Sequence, residues 1–376
     1  QTMDPSQTSA VERPARFLRL IRGVPMPPDE VRDLNNTDFG RSRGQLMREI
    51  LGYTSIQPDG SVKVKVPANL PFALSILDQS GQRHGCHTNG SEQAHGRIAA
   101  QPASINAGAV AEGVAYPNAN TQLLPSFAAT MAETLEKVLG LPTLSSDLVY
   151  QDFWTDPARA ALNPALTISY QNISTAKPNG NECFTHWTAY CRLQINYAEH
   201  IQPLWLKSRL VFDEVTNEQI QDNTCTRCHS TLDADNVAQV PAGQLDLTAS
   251  ASNDQPAHLT GYRELFFNDV EQELIEGVLV DKLIPLLDGD GNPVYVRDAD
   301  GNLILDENGQ PIPVMTTINV ANILSTNGAR SSGRFFQVLN TEPRENILSI
   351  DEQRLISEWL DIGAQYYNTP FYQETQ

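Results

Sequence analysis

The segment Cys225-Thr226-Arg227-Cys228-His229 holds the residues of this chain that are best arranged to do chemistry. C-x-x-C-H is the spacing at which two thiols add to the two vinyl groups of one haem. The histidine of such a motif then lies beneath the iron as an axial ligand. We therefore predict that Cys225 and Cys228 attach a haem covalently and that His229 binds its iron. A disulfide between the two cysteines and half of a zinc site are the alternatives.

The ligand on the other face of the iron decides between two functions. A second protein ligand gives a six-coordinate electron carrier, whereas an open face admits a substrate. His200, in a predicted helix shortly upstream, is the first candidate, and a hydrogen-bonded core histidine is the alternative for this residue. His258 is the second candidate, and Met315 is the methionine downstream of the motif.

A second site is indicated by Arg83-His84-Gly85-Cys86-His87, which ends like a haem motif but has Arg83 where the first cysteine would stand. Attachment of a second haem through one thioether to Cys86, with His87 as iron ligand, is the prediction. His95 lies close enough in sequence to join this site. Zinc held by Cys86 and the neighbouring histidines, or a reactive thiol, are the alternatives.

The two remaining cysteines, Cys183 and Cys191, are eight residues apart and have no C-x-x-C relation. They predict a structural disulfide that closes a short loop. Haem propionates need cationic partners, and Arg192, Arg263 and Arg330 are the arginines predicted for that role.

Composition limits the classes of partner. The 376 residues carry a formal net charge of −19, which argues against nucleic acid because phosphate would be repelled. The expected partners are redox proteins, other cytochromes or further copies of this chain. No run of about 18 apolar residues predicts a transmembrane segment. Haem attachment of this kind takes place outside the bacterial cytoplasm, so we expect a periplasmic, extracellular or cell-surface protein whose signal peptide has been removed.

The elements that must position these residues predict an α+β fold in two parts. Residues 1–82 are predicted to form a small, β-sandwich-like module. Period-two alternation at 61–67 and 72–78 predicts two strands that pair with each other. A short helix is predicted at 44–51. Residues 83–376 predict a mainly helical, loop-rich c-type cytochrome domain.

Three helices of this second part have clear sequence signals. Residues 127–139 form an amphipathic pattern that ends at Gly140, and residues 194–206 form a second pattern. The last helix begins after a capping Ser349 and ends before Gly363. In the N-terminal module, residues 16–22 predict a strand.

A β-meander insertion is predicted at about 284–316, because turn clusters begin at Asp288, Asp298 and Asp306. Calcium is the functional alternative, since D-x-D-G-N resembles the start of an EF-hand loop. The glutamate that would close such a loop at its twelfth position is replaced by Ala299 and Gly309.

Several segments together resemble the C-terminal region of hydrazine-synthase-alpha-like multihaem c-type cytochromes. They are Phe39-Gly40, 47–53, 58–69, the Cys-His-Thr at 86–88, His95-Gly96-Arg97, 196–205, 225–229, 262–265, 328–330 and 358–368. The resemblance implies secretion or lipid anchoring, a β-rich region and two c-type haems. In this family the first haem is catalytic, follows a complete C-x-x-C-H and has a tyrosine ligand shortly after it; this chain has Arg83 and Ser91 instead. The second haem of the family resembles an electron-transfer centre with two histidine ligands, and residues 225–229 match that role.

Three functions follow from these predictions. The leading one is an extracytoplasmic, dihaem c-type cytochrome that carries out electron transfer. The second is a haem enzyme of the hydrazine-synthase-alpha-like type, an oxidoreductase with an open iron near Cys86 and His87. The third is a haem subunit of a multi-copy assembly that conducts electrons.

Overall fold

The computed structural model of the chain describes residues 15–86, 120–123, 129–158 and 165–371. Contacts between residues divide the chain into two units, the first formed by residues 1–204 with 325–376 and the second by residues 205–324. The predicted boundary at residue 82 falls inside the first unit and stays a prediction.

The described part of the chain contains short helices and short strands. The helices are α1 (Asn36–Phe39), α2 (Met131–Leu139), α3 (Asn181–Thr185), α4 (Gln202–Leu206), α5 (Cys225–Cys228), α6 (Thr260–Phe266), α7 (Gly333–Leu339) and α8 (Ile350–Asp361). The strands are β1 (Phe17–Gly23), β2 (Arg48–Ser55), β3 (Ala73–Leu77), β4 (Arg83–Cys86), β5 (Leu148–Tyr150), β6 (Leu166–Ile168), β7 (Leu210–Phe212), β8 (Gln219–Asp222), β9 (Asp269–Val270), β10 (Gln272–Ile275), β11 (Val278–Asp281), β12 (Leu283–Pro285), β13 (Met315–Thr317) and β14 (Asn319–Val320). A π-helical turn, Tyr197–Ile201, leads directly into α4.

The first unit is built on a four-stranded antiparallel sheet with the order β2-β1-β3-β4. β1 and β3 lie where the sequence predicts strands. The predicted helix at 44–51 is wrong, because this segment enters β2, where pairing with β1 buries Met47, Ile50 and Leu51. The predicted strand at 61–67 is also wrong: it forms a single bridge at Lys65, and the partners of β3 are β1 and β4.

Helix α8 lies in the core of the first unit and is buried along nearly its whole length. A capping box starts it: the Ser349 side chain accepts from the Glu352 backbone, and the Glu352 carboxylate accepts from the Ser349 backbone. The predicted start and end of this helix are confirmed. The predicted helix at 127–139 is confirmed over 131–139, where Thr130 and Glu133 form another capping box.

Buried ion pairs compensate the charges that α8 brings into the core. Arg19 of β1 donates to Asp361 at 2.6 Å, and both side chains are fully buried. Arg354 donates to Glu358 at 2.7 Å and to the backbone carbonyls of Ile168 and Ser146. Because each of these charges has a hydrogen-bonded partner, the helix is held against β1, β6 and the segment before β5.

The second unit consists mainly of short antiparallel strand pairs, and α6 contributes the buried side chains of Tyr262, Leu265 and Phe266. Its two-stranded sheets pair β7 with β8, β9 with β14, β10 with β11 and β12 with β13. Between β12 and β13, backbone hydrogen bonds join Leu286, Val294 and Val314 in a ring, and a second ring follows. The second ring consists of Val296, Ile304 and Ile312.

The three predicted turn clusters form the turns of this β-structure. Oδ1 of Asp288 accepts from the backbone N–H groups of the residues two and four positions downstream. Asp298 and Asp306 make the same pair of hydrogen bonds in their own turns. These carboxylates therefore close turns. Among the described residues, no three histidine, cysteine or acidic side chains are grouped so that they could hold a metal ion, so calcium gains no support.

The mixture of helices and small sheets is that of an α+β protein, as predicted. The part after residue 82 is less helical than predicted, because five two-stranded sheets lie between its short helices among the described residues. The sandwich-like arrangement of the N-terminal module stays a prediction. Within the described ranges, no helix has the length and apolar character needed to cross a membrane.

Replacing Arg354 with methionine is expected to destabilise the first unit by about 3–5 kcal/mol, because buried Glu358 would lose its cationic partner and two buried carbonyls would lose their donor. Urea unfolding followed by tryptophan fluorescence measures this change. Arg344→Met, at an exposed position, is the matched control and should change the free energy of unfolding by less than about 0.5 kcal/mol. Equal stabilities for Arg354→Met and the control would contradict the role given to this ion pair.

Candidate haem centre

The β7–β8 hairpin lies directly before the C-x-x-C-H motif in the chain. The Asn223 N–H donates to the Arg209 carbonyl at 3.0 Å, and the Arg209 N–H donates to Oγ1 of Thr224 at 3.0 Å. The Asp222 carboxylate accepts from the Thr224 N–H at 2.9 Å, and hydrogen bonds from Thr224 lower the pKa of Asp222. The residue that precedes Cys225 is thus fixed before the helical turn begins.

The motif itself is the single turn α5. The His229 N–H donates to the Cys225 carbonyl at 2.9 Å, which closes the turn; both cysteines lie in this turn and His229 is its C-terminal cap. Both thiols are free of disulfide bonds; Cys225 is partly exposed and Cys228 is exposed. The predicted alternative of a Cys225–Cys228 disulfide is therefore absent from this structure.

The imidazole of His229 is oriented by a segment 16 residues downstream. Its Nδ1 lies 3.2 Å from the Leu245 carbonyl, and the Leu247 N–H donates to the His229 carbonyl at 2.9 Å. A backbone carbonyl can only accept, so Nδ1 carries the proton in this contact. Nε2 is then the ring nitrogen with a lone pair, as a metal-binding histidine requires.

Gln239 holds the loop that follows the motif. Its Nε2 lies 3.2–3.3 Å from the carbonyl oxygens of Arg227, Ser230 and Leu232. The Gln239 N–H also donates to the Thr231 carbonyl at 3.0 Å. The two N–H groups of this amide are thus shared among carbonyls at the end of the helical turn and in the loop after it.

The predicted distal ligand His200 is buried in the π-helical turn of the first unit. The Asn196 N–H donates to its Nδ1 at 3.0 Å, and its Nε2 lies 3.2 Å from the Lys177 carbonyl. Burial lowers the pKa of His200, so the ring is neutral. Both nitrogens are engaged with backbone groups, which is the arrangement of the core histidine that the sequence left as the alternative.

The second candidate, His258, belongs to the unit that contains the motif. It is buried, and its ring packs edge-on against Tyr262 with centroids 5.1 Å apart. Its carbonyl accepts from the Ser252 N–H, and the neighbouring Thr260 N–H donates to the Ser250 carbonyl. The segment 245–252 therefore connects the backbone that orients His229 with the backbone that carries His258.

The other predicted residues fall into three groups. Cys183 and Cys191 form the predicted disulfide. Arg192 and Arg263, predicted to bind propionates, are ion-paired with Glu49 and Asp254. His87 and His95 lie outside the described residues, and of Cys86 the structure describes only the backbone, at the end of β4.

The groups that the sequence did not indicate are backbone groups, together with side chains that hold the backbone around the motif in place. The Leu245 carbonyl and the Leu247 N–H have no side-chain signature, and glutamine at 239 has no distinguishing neighbour. Glu264 on α6 is a further such group: burial, together with the carboxylate of Asp269, raises its pKa to about 8. It accepts a hydrogen bond from the N–H of Asp246, which lies between Leu245 and Leu247.

The β-rich region matches a known protein family. Residues 16–93 match the family described as the hydrazine synthase alpha subunit middle domain. The predicted resemblance to hydrazine-synthase-alpha-like proteins is confirmed for residues 16–93, and the part of the family that they match is its middle domain. This match contains all four strands of the β2-β1-β3-β4 sheet and the Cys86-His87 pair.

The comparison with solved structures gives a weaker likeness. A structure of Kuenenia stuttgartiensis hydrazine synthase is 17% identical with a TM-score of 0.39, and the match covers 96% of this chain and 40% of that one. This chain therefore spans less than half the length of that relative. No curated protein matches this chain.

Stability of the second unit is expected to fall as the pH rises from about 4.5 to 8. In the unfolded chain Glu264 releases its proton near its ordinary pKa of 4.5, whereas the folded chain retains the proton up to about 8. The unfolded state then binds fewer protons, so the free energy of unfolding decreases across this range. Thermal melts between pH 5 and 8 measure the slope. Glu264→Gln should flatten it, and an unchanged slope would contradict the assignment.

Proposed function

We propose that this chain is an extracytoplasmic c-type cytochrome that passes electrons, with Cys225 and Cys228 as thioether-forming residues and Nε2 of His229 as axial ligand. The observation that carries the proposal is the contact between His229 Nδ1 and the Leu245 carbonyl. It selects the ring nitrogen that can bind a metal before any metal is present. When bound, the haem would supply a one-electron Fe(III)/Fe(II) couple.

The protein groups fit such a haem. Two thiols that are exposed or partly exposed remain accessible to the vinyl groups, and the backbone turn that carries them is already closed. The hydrogen bond from Nδ1 to a carbonyl raises the basicity of the imidazole, which favours the ferric state. The Cys183–Cys191 disulfide agrees with an oxidising compartment, and we place the protein in the periplasm or on the cell surface.

Electrons would enter and leave through docking with other proteins. The exposed position of Cys228 places one edge of the proposed site at the surface of its unit, which shortens the path to a partner. The net charge of −19 favours a basic redox protein. Other cytochromes, or further copies of this chain in a conducting assembly, are the second kind of partner.

A second haem is proposed at Cys86 and His87, with His95 as a further ligand candidate. The Cys-His ending of a haem motif supports this site, and both residues lie inside the family match at 16–93. If the iron there has an open face, the chain is instead a haem oxidoreductase of the hydrazine-synthase-alpha-like type. This enzyme reading is the second candidate function, and binding of carbon monoxide distinguishes it from a carrier.

Replacing Cys225 and Cys228 together with alanine is expected to remove one haem from the matured protein. A pyridine haemochrome spectrum and the intact mass count the haems before and after. Cys86→Ala is the companion variant and should remove a second haem while leaving the first. Loss of no haem from the double variant would contradict the attachment site.

The sixth ligand of this haem is tested by His258→Ala and His200→Ala. If the proposed carrier is low-spin with His258 as ligand, His258→Ala becomes high-spin and binds carbon monoxide, whereas His200→Ala keeps the low-spin spectrum. The opposite result would assign the position to His200. A wild-type protein whose reduced form already binds carbon monoxide at this haem would contradict a six-coordinate carrier.

A further inference from the structure

A cavity of about 490 Å³ lies beside β2, the outer strand of the four-stranded sheet in the first unit. Two buried side chains, Leu51 of β2 and Leu144, are among its lining residues. Both belong to an apolar cluster that also contains Leu20 of β1. Sites for small molecules are mostly apolar, concave spaces of roughly 300–1,000 Å³. The cavity therefore has the size and the apolar floor of such a site.

Backbone hydrogen bonds hold one wall of this cavity against β2. The N–H groups of Tyr53 and Ser145 donate to each other's carbonyl oxygens at 2.9 and 3.0 Å. The Lys65 N–H donates to the Pro142 carbonyl at 2.8 Å, which fixes the lining segment 65–68 to the same stretch of chain. This wall is thus set by backbone pairing and is in place before any ligand binds.

The loop closed by the Cys183–Cys191 disulfide supplies another wall, which consists of residues 186–189. Nε1 of Trp187 donates to the Leu51 carbonyl at 3.2 Å, and this hydrogen bond ties the loop to β2. The Trp187 side chain packs against the apolar cluster and also lines the cavity. An aromatic ring is therefore held at the side of the apolar floor.

Gly52 makes the close approach of these walls possible. A Cβ at this position would lie 3.1 Å from Nε1 of Trp187 and 2.9 Å from Cβ of Leu144. The φ of Gly52 is +132°, which residues with a side chain rarely adopt. The shape of the cavity therefore depends on a glycine in the strand beside it.

The charged side chain at this cavity is a cation. Of the described residues that line it, Lys65 carries a positive charge, His186 is a second polar group and none is acidic. Lys63, two residues earlier, pairs with Glu136, whereas within the described ranges Lys65 makes no ion pair. An uncompensated ammonium group beside an apolar cavity favours a ligand with a negative charge.

We propose that this cavity binds a small amphiphilic anion, that is, an aromatic or aliphatic body that carries one carboxylate or similar group. The body packs against Leu51, Leu144 and the indole of Trp187, which removes apolar surface of both partners from water. The anionic group lies at the Lys65 ammonium, which is exposed, so this group keeps part of its hydration. None of the lining residues that the structure describes belongs to a proposed haem site, so the inference does not depend on the proposed function.

The test compares two probes of nearly the same shape, 1-naphthylacetate and the neutral 1-naphthylacetamide, by isothermal titration calorimetry on the full chain. Both are expected to bind saturably. The anion should bind about three- to fivefold more tightly, which is the ratio that an ion pair with an exposed lysine supports. A wild-type protein that binds neither probe, or that binds both with equal affinity, would overturn the proposal.

The variant Lys65→Gln tests where the anionic group lies. It should lose the preference for the anion and keep the wild-type affinity for the amide. Lys63→Gln removes the same charge two residues away and should retain the preference, so it is the matched control. If the preference persists in Lys65→Gln, the anion does not bind at this cavity and the inference is wrong.

Filling the cavity separates it from other apolar surface of the chain. In Ala189→Phe the added ring occupies the space, so both probes should bind at least about tenfold more weakly. Ala299→Phe, at an exposed position of the second unit, should bind both probes like the wild type. Wild-type binding by a folded Ala189→Phe protein would place the probes elsewhere and refute the site. Should Ala189→Phe fail to fold, Ala68→Phe fills the cavity from the other wall and decides in the same way.

Discussion

The contact between Nδ1 of His229 and the carbonyl of Leu245 constrains what the 225–229 segment can do. It holds the ring in one tautomer and ties a four-residue helix, too short to be stable alone, to the backbone of a distant segment. The Leu247 N–H and the Gln239 amide add further anchors on both sides of the histidine. A motif that would fray in isolation is thereby held in the geometry that a metal ligand needs.

The two units satisfy their polar groups in different ways. The first unit buries charged residues of α8 and pairs them, as Arg19 does with Asp361. The second unit has few buried apolar residues and relies on turns in which aspartates accept backbone N–H groups. A covalently attached haem would add apolar surface to a unit of this kind, and it would stabilise that unit in proportion to the area it buries.

Sequence reasoning succeeded where the signal is local. The stop signal at Gly140, the cap at Ser349 and the eight-residue spacing of Cys183 and Cys191 each depend on neighbours in the chain, and the structure has the corresponding helices and disulfide. It failed at 44–51, where the residue pattern predicts a helix but the segment enters a strand that pairs with β1, some 30 residues earlier in the chain. Nor does the sequence show that Arg22, Arg48 and Arg83 line one cavity beside the sheet, because they meet only through the order of its strands.

The most direct test of the haem assignment is mass spectrometry of the peptide that contains residues 225–229, taken from protein matured in a host with cytochrome c assembly. We predict one haem on this peptide, joined to the sulfurs of both Cys225 and Cys228. A peptide from matured protein that carries two unmodified thiols, or a zinc ion in place of haem, would contradict the central claim.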